Sequence, residues 1–128
     1  MKSIIMPNDA LQYTTANPYS PVLEVKGNTL VVISGQASIN SEGKVIGKTI
    51  EEQTIATLNN CEKVLKAAGC TFADVIKVTA YMKDLNDWAR FNVEYSKIMK
   101  KPYTVRTAIQ VGLLDHLLIE IEMWAVKE

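Results

Sequence analysis

The chain has 128 residues, with 14 basic and 14 acidic side chains that cancel to a formal net charge of zero. This length is a prior for one domain with a sizeable core, and 48 % apolar against 22 % charged residues excludes disorder, collagen, coiled coil and a disulfide scaffold. Balanced charge argues against nucleic acid or an anionic membrane as a partner, and no apolar run reaches the roughly 18–20 residues that span a bilayer.

The apolar stretch before Pro7 is too short for a signal-peptide core, so a single cytoplasmic domain over residues 1–128 is expected, with Cys61 and Cys70 reduced. Pro7, Asn8, Asn17, Pro18, Ser20 and Pro21 predict an irregular first twenty residues. Val22 to Lys26 and Thr29 to Ser34 read as a β-hairpin around Gly27-Asn28. Ser41 to Lys44 reads as a turn, and Val45 to Gly47 as a short extended piece.

Thr49-Ile50-Glu51-Glu52 matches a capping box. Behind it Ile50, Thr54, Leu58, Cys61, Leu65 and Ala68 recur at helical spacing, until Gly69 ends the helix. Val75 to Met82 alternates as a strand, with Ile76, Val78, Ala80 and Met82 on one face. Asp84 is the expected cap of a second helix striped by Trp88, Phe91, Tyr95, Ile98 and Met99, which Lys100-Lys101-Pro102 ends. Two further strands, about Tyr103–Val111 and Leu117–Val126, flank Gly112 to His116 and read as a second hairpin.

The expected fold is α+β: a five- or six-stranded mixed sheet with two amphipathic helices on one face. The last strand nevertheless carries apolar residues on both faces, with Leu118, Trp124 and Val126 on the side the helices do not cover. A second copy of the chain is the simplest cover, so a homo-oligomer is expected.

Several chemistries lack their residues. The six glycines are dispersed, so there is no phosphate-cradling loop, and the lone His116 supports neither a histidine-rich metal site nor a serine triad. Cys61 lies on the first helix's apolar stripe and Cys70 follows the helix-ending glycine, so both read as buried packing residues. The anomaly is charge in apolar strands: Arg106, Glu120 and Glu122. In the hairpin register Arg106 opposes Glu122 and lies diagonal to Glu120. Two readings stay open, a cross-strand ion pair or a cation that grips a small organic acid.

Asn17-Pro18-Tyr19-Ser20, Ile33-Ser34-Gly35-Gln36, Lys83-Asp84-Leu85-Asn86-Asp87 with Asn92, Arg106, and Ile119-Glu120-Ile121-Glu122 occur collinearly along nearly the whole chain. In this pattern the chain resembles the RidA (YjgF-type) reactive intermediate deaminases. The resemblance implies a chorismate-mutase-like fold, a homotrimer with clefts between subunits, and hydrolysis of reactive 2-imino acids to 2-keto acids and ammonia without metal or cofactor. It implies that Arg106 binds the substrate carboxylate, Glu120 activates water, Tyr19 closes the cleft with its hydroxyl, and Ser34 and Asn92 line the pocket. The alternative is a small-carboxylate-binding regulatory module of the same fold. Nucleic acid and membranes are not expected partners. The chain departs from the family in having Ala108 where a cysteine is usual, and in a shorter loop before Leu117 that lacks the usual proline.

Overall fold

A computed structural model describes residues 1–7 and 17–128. Strand β1 (Ser3–Ile5) pairs antiparallel with β2 (Glu24–Lys26) in a small two-stranded sheet. The main sheet contains β3 (Thr29–Val32), β4 (Gln36–Ala37), β5 (Val75–Met82), β6 (Val105–Gln110) and β7 (Ile119–Lys127). Its order is β3-β7-β5-β6, with β4 also on β7. Helices α1 (Ile50–Ala67) and α2 (Trp88–Ile98) cover one face, and their buried stripes enclose Val78, Ala80, Met82, Ile119, Ile121 and Met123. The expected α+β class and helical layer are therefore present.

The local signals explain the elements they mark. Thr49 accepts from the Glu52 amide at 3.1 Å, and the Glu52 carboxylate accepts from the Thr49 amide at 3.2 Å, so both halves of the capping box form. Gly69, at φ +75°, supplies the left-handed residue that closes α1. Ile50, Leu58, Cys61 and Leu65 line its buried face as their spacing predicts. Asn40 and Gly43 close the turn that the isolated Ile39–Val45 bridge spans.

Several expectations are corrected. Strand β1 occupies part of the segment read as irregular, while residues 8–16 of that segment, Asn8 among them, lie outside the described residues. The strands flanking Gly27-Asn28 do not pair with each other: β2 joins β1 and β3 joins β7. Gly27 serves close passage instead, since a Cβ there would stand 2.3 Å from Val126 Cγ2. A bulge between Val75 and Lys77 turns Val75 onto the helix-covered face and leaves Ile76 half-buried, so Ile76 does not share the Val78 face as alternation suggested. Asp84 caps a 3-10 turn, Leu85–Asp87, by accepting from the Asn86 amide, and α2 starts behind it without a side-chain cap.

The largest correction concerns the last two strands. β6 pairs parallel with β5, and β7 pairs antiparallel with β5 on its other edge, so β5 separates them. The path from β5 through α2 to β6 is a crossover, the connection that parallel strands require. The Arg106–Glu122 pairing and the Arg106–Glu120 diagonal do not exist.

Candidate functional site

Arg106 lies beside Val78 on the edge strand β6, and strand alternation sends its side chain to the helix-covered face. There α2 presents Trp88, Phe91 and Tyr95 from successive turns of one side. The guanidinium carbon is 4.7 Å from the Tyr95 ring centre, 4.9 Å from Trp88, 5.6 Å from Phe91 and 6.0 Å from Tyr19. Among the described residues both terminal nitrogens are buried without a close hydrogen-bond partner, the Tyr95 phenol being a polar group that acts on them, and none of the ion pairs includes Arg106. Burial pulls the guanidinium's pKa below its ordinary value, with Tyr95 and Tyr19 acting in the opposite sense. An enclosed cation with open donors is expensive unless an anion arrives. The cross-strand ion pair is thereby removed as an explanation of this arginine.

Tyr19 reaches Arg106 because its segment is stitched to the start of β6. The Ser20 amide donates to the Thr104 carbonyl at 2.8 Å, and the Ser20 hydroxyl donates to the Tyr103 carbonyl. Asn92, buried on α2, donates to the Asn17 side chain at 3.4 Å, while its side-chain oxygen Oδ1 has no hydrogen-bond partner among the described residues. Between this segment and β6 lies a cleft of about 510 Å³, lined by Tyr19, Ser20, Val22, Lys77, Arg106 and Thr107.

The second charged cluster occupies the uncovered face. Glu120 pairs with Tyr81 and Glu122 with Thr79, out of phase with Val78 and Arg106. The Tyr81 hydroxyl donates to Glu122 at 2.7 Å, and this bond chiefly raises the tyrosine's pKa. Between β3 and β4 the register on β7 slips by one residue, from Val32↔Trp124 to Gln36↔Ile121, which leaves exposed Ser34 and Gly35 as a kink. Gly35 is there for room: a Cβ would stand 2.4 Å from the Glu120 carboxylate. Leu30, Val32 and Trp124 on this face are 54 %, 57 % and 37 % exposed, an apolar surface without a cover among the described residues.

Within one chain the structure thus brings Arg106, Tyr19 and Asn92 to one region and Ser34 with Glu120 to another. It does not bring Glu120 to Arg106. The ring cage was missed by sequence reading, because an aromatic stripe at helical spacing reads as plain core. Gly35 as a seat for a carboxylate left no composition signal beyond the glycine itself. Cys61 and Cys70 are buried as expected, and His116 is exposed.

A family model described as endoribonuclease L-PSP matches residues 9–127. A RutC family protein of Pyrococcus horikoshii is 37 % identical over the whole of both chains. The chain belongs to the RidA (YjgF-type) family. The human 2-iminobutanoate/2-iminopropanoate deaminase is 35 % identical over 86 % of this chain and 80 % of its own. A crystal structure of a Rid family protein from Yersinia pestis superposes with a TM-score of 0.83 at 25 % identity, covering 98 % of each chain. That Rid family neighbour shares the fold over almost the whole of both chains.

Proposed function

We propose that the chain acts as a single RidA-type domain that hydrolyses reactive 2-imino acids to 2-keto acids and ammonia. The observation that carries this reading is Arg106: a buried guanidinium, walled by rings, whose terminal nitrogens have no close hydrogen-bond partner among the described residues. A planar carboxylate takes such a fork in bidentate fashion. The human relative's name supports the imine as the substrate class.

In this reading the site is completed by assembly. Arg106 and Glu120 occupy opposite faces of the sheet, and the Glu120 face carries the uncovered apolar residues. A homotrimer that covers this face with a neighbouring copy places the Arg106 region of one chain against the Ser34–Glu120 region of another. The substrate carboxylate docks on Arg106, Tyr19 closes over it, and Asn92 holds the Tyr19 segment through Asn17. Water adds to the iminium carbon while Glu120 accepts one of its protons. Glu120 passes that proton to the adduct's amine, the C–N bond breaks as the adduct hydroxyl gives its remaining proton to the carboxylate, and this proton then goes to the departing ammonia, leaving the keto acid and ammonium. Positioning by Arg106 supplies several kcal/mol of the barrier on the scale of oriented reactions. Neither metal nor cofactor enters these steps. Small 2-imino and 2-keto acids are the partners, with no role for nucleic acid or membrane, and the compartment is the cytoplasm.

The test couples a threonine dehydratase to the purified protein and follows the loss of imine absorbance. Arg106→Ala abolishes the acceleration, and Glu120→Gln lowers turnover more than it lowers keto-acid binding. Unchanged imine loss in Arg106→Ala overturns the assignment. Keto-acid binding without any acceleration in the wild type leaves the regulatory module as the function, a reading favoured by Ala108, which places no thiol on the Arg106 face.

A further inference from the structure

Proteins usually hold a ligand-binding arginine with a carboxylate, which neutralises it and competes with the ligand. Here no acid among the described residues does so. The guanidinium is held by ring faces, and ring faces attract a cation without using its N–H groups.

We propose that Trp88 and Tyr95 are positioning residues: they fix the Arg106 guanidinium by cation–π contact and leave its donor edge free for an incoming carboxylate. This rests on the carboxylate-binding reading above. Trp88, Phe91 and Tyr95 form a continuous wall, with ring centres 6.3 Å and 5.4 Å apart along α2. Tyr95 is fully buried, and it offers Arg106 its ring face at 4.7 Å together with a phenol oxygen that favours the charged guanidinium. Trp88 is the half-buried member, at 4.9 Å, and can be exchanged with less damage to the core. The wall also keeps water from the guanidinium, and a dry cation attracts an anion more strongly than a wet one.

The wall explains a second feature. An edge strand normally lets a long cationic side chain swing into solvent, yet Arg106 stays packed beneath α2 with its terminal nitrogens enclosed. Among the described residues, the ring faces and the Tyr95 phenol hold it there. Trp88, on the first turn of α2, therefore tunes how well the site grips a carboxylate without touching the carboxylate itself.

Trp88→Leu and Trp88→Phe are compared with the wild type by calorimetric titration with 2-oxobutanoate, alongside NMR of the Arg106 guanidinium protons in unliganded protein. Trp88→Leu weakens binding about tenfold, on the scale of a desolvated cation–π contact, and loses the upfield ring-current shift of those protons. Trp88→Phe, which keeps a ring face, binds within about threefold of the wild type. Trp88→Met replaces the leucine variant if that one does not fold. Equal binding by wild type and Trp88→Leu overturns the proposal, as does a wild-type guanidinium without an upfield shift. A wild type that binds no 2-oxobutanoate overturns the carboxylate reading, and the unliganded NMR shift then decides the cage by itself.

Discussion

Replacing Arg106 by methionine raises the stability of the fold while it destroys the anion site. The terminal nitrogens Nη1 and Nη2 are both buried and without a close hydrogen-bond partner among the described residues, and each unmet buried polar group costs about 1–3 kcal/mol. The surrounding rings return about 2 kcal/mol through cation–π attraction. Methionine has similar reach, keeps favourable contact with the rings and has nothing to desolvate. Two such groups cost about 2–6 kcal/mol, so the net gain is about 0–4 kcal/mol, overlapping the range seen when apolar residues replace buried charges. For a chain of this size each kcal/mol of that gain raises Tm by roughly 4 °C. The assay is thermal and urea unfolding at matched protein concentration, with and without 2-oxobutanoate. At a hundredfold excess over Kd the ligand stabilises the wild type by about 2.7 kcal/mol and leaves Arg106→Met unmoved. A variant that melts below the wild type, or that still gains stability from the keto acid, refutes the view of Arg106 as an unpaired, ligand-seeking cation.

Three further outcomes follow from other parts of the chain. Gly35→Ala pushes the Glu120 carboxylate aside, because the new Cβ would stand 2.4 Å from its oxygen. Gly35 is not at positive φ, so imine hydrolysis falls while Tm stays within about 2 °C of the wild type, and a variant with full activity refutes the seat. Gln53→Leu removes donation to the Gly47 and His116 carbonyls and leaves the Leu118 amide orphaned. Urea unfolding should show a loss of about 3 kcal/mol, and a loss below about 1 kcal/mol refutes the role of Gln53 as the clasp between α1 and the loop before β7.

Burial pushes the Cys61 thiol up to about 12, whereas an unfolded thiol ionises near 8.5, roughly. The unfolded chain therefore releases its proton first on raising pH. This contribution is complete below about pH 8.5 and is lost progressively toward the folded value. Cys61→Ala flattens the alkaline limb of stability against pH, and an unaltered limb counts against it. The Tyr95 phenol, raised chiefly by burial, acts with the same sign.

What the sequence by itself determined is the local chemistry. The Thr49–Glu52 box, the α1 stripe closed by Gly69, the extent of β5 and the aromatic side of α2 each depend on residues within a few positions of one another, and they form where spacing placed them. The oddity of Arg106 and Glu120 was legible too, because charge in an apolar strand is visible without coordinates. Tertiary structure decided the pairing. Gly112 to His116 could as well close a hairpin as lead β7 around to the far side of β5, and only the crossover through α2 settles that β6 runs parallel. That choice moved Arg106 from Glu122 to a ring cage and placed Glu120 on the opposite face. Strand partners are chosen by competition among surfaces distant in sequence, so the same alternating residues fit either register until the whole sheet is assembled.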